Sequence, residues 1–81
     1  MDLRKENQEL ARRLSSIIVD IRASPIEKNK LFEQLVNCLD EKSEEEKNKN
    51  INNLINWIFK MELITVEQKK WIDSPTQKLS N

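Results

Sequence analysis

The acidic residues from Asp40 to Glu46 are the first place to look for chemistry, because paired carboxylates can act as general acid and base. Glu44, Glu45 and Glu46 are consecutive, and Asp40 and Glu41 precede them. Consecutive residues of a helix point about 100° apart, so these side chains do not converge on one substrate. Paired catalytic carboxylates also need a cleft that shifts a pKa, for which 81 residues leave little room. We therefore expect a protein that is not an enzyme.

The composition excludes most other chemistry. The sequence contains no His, no Gly and a single Cys. Without His the commonest general base and metal ligand is missing, and without Gly no phosphate-cradling loop or dinucleotide motif can form. One Cys can form neither an internal disulfide nor a zinc site. We therefore expect no cofactor, no metal and no small-molecule substrate.

Charge and hydropathy narrow the choice of partners. The 14 Lys and Arg residues balance the 14 Asp and Glu residues, and both signs are spread along the chain. The basic footprint of a strong nucleic-acid binder is therefore missing. The longest apolar runs, at residues 17–19 and 57–59, are far shorter than the roughly 20 residues of a membrane span. Because no signal-peptide pattern follows Met1, we expect a cytoplasmic protein with no membrane partner.

The periodicity of the apolar residues is helical almost throughout. Three capping boxes mark helix starts, beginning at Ser24, Ser43 and Thr65, each with a Glu or Gln three residues later. The pattern predicts helices near 2–22, 25–41 and 44–62, and a short fourth helix near 66–72.

These elements predict an all-α fold. Connections of two or three residues force neighbouring helices to run antiparallel. We expect a small antiparallel helical bundle of three amphipathic helices plus a short C-terminal helix. Residues 1–73 would form a single helical domain, and residues 74–81 a flexible C-terminal tail.

A seam with heptad spacing runs along the first helix, and we call it the heptad seam. Its residues are Leu3, Asn7, Leu10, Leu14, Ile17 and Ile21. The pattern resembles a short leucine zipper, in which a lone Asn among Leu residues fixes the register and the dimeric state. The same spacing also describes a helix packed inside a bundle. Intramolecular packing, self-association and insertion into a partner's groove therefore remain open.

Trp57 and Met61 lie at one border of a broad apolar arc on the third helix. Two flanking helices do not need the whole arc, so one border can stay partly open. An aromatic residue and a Met at such a border suit a protein-binding edge. Core packing against the fourth helix is the other interpretation.

Two sets of basic and amide residues are candidates for nucleic-acid contact. The first helix carries Arg4, Lys5 and Arg12, and the third carries an outward ridge of Lys49, Asn53, Asn56 and Lys60. Lys, Arg and Asn side chains can contact phosphates and base edges. A solvated face of mixed charge is the favoured interpretation of the first set, and the Asn and Lys content of the ridge also fits the codon usage of an A/T-rich genome.

Together these patterns favour a small regulatory or adaptor protein that acts through protein–protein interaction, as a homodimer. The expected interface residues are Leu3, Asn7, Leu10, Leu14, Ile17, Trp57 and Met61. The leading alternative is a small DNA- or RNA-binding regulator that uses the two basic sets. A second alternative is an inhibitor or immunity-type protein that masks a larger partner.

Overall fold

Four α-helices make up the computed structural model, which describes the backbone of residues 2–80 and the side chains of residues 2–74. They are α1 (Leu3–Asp20), α2 (Pro25–Leu39), α3 (Glu44–Lys60) and α4 (Val66–Ser80). No strand occurs in this part of the chain. The prediction of an all-α fold is confirmed, and α2, α3 and α4 begin at the residues that the capping boxes indicated.

Local hydrogen bonds explain where the helices start. Ser24 Oγ accepts from the Glu27 backbone N–H at 3.2 Å, and Ser43 Oγ accepts from that of Glu46 at 3.0 Å. The third box is reciprocal, because Thr65 Oγ1 accepts from the Gln68 N–H while Gln68 Oε1 accepts from the Thr65 N–H. Each cap satisfies a donor that the first helical turn leaves unpaired.

The end of α3 uses a non-glycine residue in the left-handed region. Glu62 has a φ of 61°, and its N–H donates to the Phe59 carbonyl at 3.0 Å. The Leu63 N–H donates to the Ile58 carbonyl at 3.1 Å. This pair of bonds is a Schellman motif, whose left-handed position usually holds Gly. A chain without Gly therefore places Glu62 there, at an energetic cost.

Helix α4 is longer than the predicted 66–72, because it continues through Pro75 to Ser80. Proline has no N–H and cannot donate to the Trp71 carbonyl one turn earlier. That carbonyl instead accepts from Arg13 Nη1 at 2.6 Å and from Ser74 Oγ at 3.0 Å. The predicted tail at 74–81 thus begins inside a helix. Residue 81 and the side chains of 75–80 lie outside the described part, so the flexibility of the tail stays a prediction.

Helices α1 and α3 form the centre of the fold. Each contacts the other three helices, whereas α2 and α4 do not touch each other within the described residues. The fully buried apolar side chains are Leu10, Leu14, Ile18, Ile51, Ile55, Ile58 and Ile72. Among the described helices, none is long and apolar enough to cross a membrane.

Candidate protein-interaction face

The heptad seam of α1 lies inside the chain. Leu10 and Leu14 are fully buried, Ile17 and Ile21 are buried, and Leu3 is half-buried. All four buried side chains belong to the core that α1 shares with the other helices. A second chain could reach the buried part of this seam only if α1 left the bundle, so only Leu3 keeps part of its side chain on the accessible surface.

Asn7 links α1 to the start of α3. It is 1% exposed, and its Nδ2 donates to the Glu44 carbonyl at 2.8 Å and to Glu44 Oε1 at 3.2 Å. Its Oδ1 accepts from Asn48 Nδ2 at 2.9 Å. In a leucine zipper the Asn7 amide would bond to a second copy, but here its hydrogen bonds are made within one chain. Asn7 sets the register between α1 and α3.

Glu6 extends this buried polar network, and sequence reasoning missed it. Its side chain is 3% exposed, and its Oε2 accepts from Asn48 Nδ2 at 2.7 Å. Within the described residues its buried Oε1 has no hydrogen-bond partner. Nearby, the ion pair with Lys47 and the hydrogen bond from Asn7 hold the pKa of Glu44 below its ordinary value. No local pattern marks a charged residue outside the seam as buried.

The basic residues of α1 differ in their contacts within the chain. Arg4, Lys5 and Arg12 are exposed, but Arg12 forms an ion pair with Glu9. The hydrogen bond from Arg12 lowers the pKa of the Glu9 carboxyl. Arg13 turns to α4, where its guanidinium carbon lies 5.0 Å from the centre of the Trp71 ring. Arg12 and Arg13 therefore make contacts within the chain, whereas Arg4 and Lys5 lie exposed on its surface.

One side of α3 presents a continuous exposed surface, which we call the outer face of α3. It consists of Glu46, Lys49, Asn53, Asn56, Trp57 and Lys60, all of them exposed. Met61 borders it and is 55% exposed, and Trp57 is 46% exposed. The sequence assigned Trp57 and Met61 to protein binding and the Lys and Asn residues to nucleic acid. The structure brings the two sets together on one helix face.

The charges of the outer face of α3 are separated along its length. No acid occurs between Lys47 and Met61, so the middle and end of the face carry only Lys cations. At the start of the helix the acids are crowded. A hydrogen bond with Glu46, partial burial and the negative charges of Glu46 and Asp40 raise the pKa of Glu41. The face is therefore negative at one end and positive at the other.

The exposed aromatic ring of Trp57 distinguishes this face from the rest of the described surface. Other exposed apolar side chains include the single aliphatic residues Val19, Ile26, Val36 and Val66. The second exposed Trp, Trp71, is already covered on one side by Arg13. Trp57 has no such cation over its ring within the described residues. It is the best anchor that this surface offers to a partner.

No family model matches the chain, and comparison with curated proteins and with solved structures finds no match either. The fold and the outer face of α3 define a small helical protein with an aromatic, charge-separated surface. Such a surface can hold a partner by one buried aromatic anchor surrounded by polar pairs.

Proposed function

We propose that this chain is a small, non-enzymatic regulatory or adaptor protein that binds protein partners through the outer face of α3. The supporting observation is the exposed pair of Trp57 and Met61 beside a well-covered inner face. The inner residues Ile51, Leu54, Ile55 and Ile58 are all buried. Leaving a Trp ring in water forgoes hydrophobic stabilisation, which a partner can supply by covering it.

We also propose that consecutive helices run antiparallel. Lys28, near the start of α2, donates to the Val19 carbonyl near the end of α1 at 2.7 Å. Asn7, near the start of α1, contacts Glu44 at the start of α3. These contacts support an up-down-up order in which α1 and α3 start at the same end. Trp57 and Met61 then lie toward the opposite end from the polar network. We also propose a cytoplasmic location, which suits the free thiol of Cys38.

A quantitative pull-down from the native host tests the interaction. Trp57→Ser is compared with Val36→Ser, a control that removes an apolar side chain from α2 which is 56% exposed, against 46% for Trp57. A partner's recovery should fall about tenfold or more with Trp57→Ser, because a central Trp anchor contributes 2 kcal/mol or more. Recovery should hardly change with Val36→Ser. Equal recovery with both folded variants would refute the proposal. An inhibitor or immunity-type role differs only in the partner that this experiment identifies.

A second candidate function, nucleic-acid binding, is favoured by the exposure of Lys49, Asn53, Asn56 and Lys60. Gel shifts over a salt series separate it from protein binding. Binding through phosphates weakens steeply as salt rises, and Lys49→Gln should weaken it across all sequences. A mobility shift that is insensitive to salt, or none at all, would exclude this function.

A further inference from the structure

We propose that the outer face of α3 binds a second copy of this chain, with the two α3 helices antiparallel about a two-fold axis at Asn53. This inference rests on the assignment of the outer face of α3 as a binding surface. It replaces the heptad seam of α1, which is buried, as the surface for self-association.

The spacing of the outer face of α3 suits helix pairing. Glu46, Lys49, Asn53, Asn56 and Lys60 follow one another at intervals of three, four, three and four residues. That alternation keeps a stripe in contact with a second helix along its length. From Glu46 to Lys60 the stripe rises about 21 Å at 1.5 Å per residue. It therefore spans most of α3.

The charges make this stripe complementary to itself in one orientation. Glu46 lies seven residues before Asn53, and Lys60 lies seven residues after it. Antiparallel pairing about Asn53 therefore brings Glu46 of each copy to Lys60 of the other, giving two ion pairs. Parallel pairing would instead set Lys60 against Lys60 and Glu46 against Glu46, which repel.

The same symmetry gives Trp57 a partner. Lys49 lies four residues before Asn53, and Trp57 lies four residues after it. Each Trp57 ring therefore meets Lys49 of the second copy, and a Lys ammonium over a Trp ring is attractive. At the axis, Asn53 meets Asn53, a pair of amides that can exchange hydrogen bonds. The central residue thus fixes the register.

The crowding of acids at the start of α3 supports this arrangement. The hydrogen bond with Glu46 and the negative charges of Glu46 and Asp40 raise the pKa of Glu41, so acidic side chains crowd each other at the start of α3. Lys60 of a second copy would bring a positive charge to Glu46. Nucleic acid would be repelled by this acidic end. Because the chain has a net charge of zero, two copies have no overall repulsion to overcome.

Charge reversal tests the pairing directly. Lys60→Glu and Glu46→Lys should each behave as monomers in sedimentation equilibrium, with the dimer dissociation constant raised about tenfold or more, because two attractive pairs become two repulsive ones. An equal mixture of the two variants should form heterodimers, since every pair is again of opposite sign. The controls Lys70→Glu and Glu33→Lys change exposed residues outside the face and should leave the wild-type dimer intact.

A disulfide at the axis tests the register. In a Cys38→Ala background, Asn53→Cys should form an intermolecular disulfide on mild oxidation, because the two copies of residue 53 face each other. Ser16→Cys, on the exposed side of α1, should not. A dimer of the Asn53→Cys variant that forms without this cross-link would overturn the antiparallel register.

The molar mass of the wild-type chain in solution tests the proposed dimer even if a variant fails to fold. A monomer at all concentrations from micromolar to millimolar would overturn the second copy as partner. The pull-down with Trp57→Ser distinguishes this failure from that of the proposed function. If the chain is monomeric but a host protein depends on Trp57, the face still binds protein and only the second copy is excluded.

Discussion

Two helix stripes in this protein have the same heptad spacing but differ in burial. The heptad seam of α1 is lined with Leu and Ile and is buried within the chain, whereas the stripe of α3 carries Glu, Lys and Asn and is exposed. The spacing shows which residues share a helix face. The chemistry of the side chains decides whether the chain itself covers that face.

A comparison of one Asn from each stripe, Asn7 and Asn53, shows the same contrast. Asn7 is buried and bonded to Glu44 and Asn48, so its amide is part of the fold. Asn53 is exposed, so its amide remains available to a partner. The same residue type at an equivalent position therefore contributes to folding in α1 and, in the proposed dimer, to recognition in α3.

The largest effect should come from a charge placed in the heptad seam. Leu10→Lys removes a fully buried side chain and buries an ammonium group, at a cost of about 5 kcal/mol or more, which exceeds what so small a domain can lose. Circular dichroism should show an unfolded chain. Asn53→Lys should keep its helical signal. A folded, monomeric Leu10→Lys would mean that the seam contacts a second chain after all.

The two Asn residues give the next largest difference. Asn7→Ala leaves partly buried groups of Glu44 and Asn48 without the hydrogen bonds of the buried Asn7 amide and should cost about 1–3 kcal/mol. Asn53→Ala should stay within about 0.5 kcal/mol, as exposed substitutions do. Urea denaturation of the monomer measures both. An equal loss of unfolding free energy in both variants would contradict the claim that Asn7 supports the fold and Asn53 does not.

Arg13 and Arg12 are neighbours in the sequence, but Arg13 contacts another helix and Arg12 forms an ion pair on the surface of α1. Arg13→Met leaves the Trp71 carbonyl with fewer donors and removes the cation from the Trp71 ring, so about 1–2 kcal/mol should be lost. Arg12→Met breaks only the exposed pair with Glu9 and should therefore destabilise the chain clearly less than Arg13→Met does. Denaturation midpoints decide the order, and a larger loss for Arg12 would contradict the role of Arg13 in holding α4.

The smallest effect is a difference in pH dependence between Glu41 and Glu44. Folding lowers the pKa of Glu44, so its contribution to stability is present above its ordinary pKa and is lost as the pH falls. Folding raises the pKa of Glu41, so its ionised form is unfavourable at neutral pH. Glu44→Gln should weaken the loss of stability in acid, and Glu41→Gln should slightly stabilise the chain at pH 7. The free energy of unfolding, measured from pH 7 to pH 3, should fall at pH 7 with Glu44→Gln and rise at pH 7 with Glu41→Gln. A change of the same sign in both variants would be inconsistent with these contacts.

The local parts of the fold were predictable from the sequence, and the contacts between helices were not. Ser24, Ser43 and Thr65 identify helix starts because a cap depends on residues three apart. The extension of α4 through Pro75 was missed, because the donor that replaces the missing N–H comes from Arg13 on another helix. The burial of Glu6 was missed for the same reason, since its partner Asn48 lies on α3.

The candidate site was also predictable only in part. The apolar arc of α3 placed Trp57 and Met61 at a border, but which border stays open depends on where α2 and α4 pack. The ridge from Lys49 to Lys60 was identified as outward, yet it was assigned to a different kind of partner from Trp57. Helical spacing already places Trp57 beside Asn53 and Lys60, and the packed structure adds that all three are exposed.

The central claim is that Trp57 lies exposed on the outer face of α3 and is covered when a second copy binds. The fluorescence of Trp57 tests this claim most directly. In a Trp71→Phe background, acrylamide quenching reports on Trp57 alone. We expect red-shifted, readily quenched emission in dilute solution, then a blue shift and protection as the concentration rises, both abolished by Lys60→Glu. Emission that is blue-shifted and resistant to quenching in the dilute monomer would place Trp57 in the core and contradict the account.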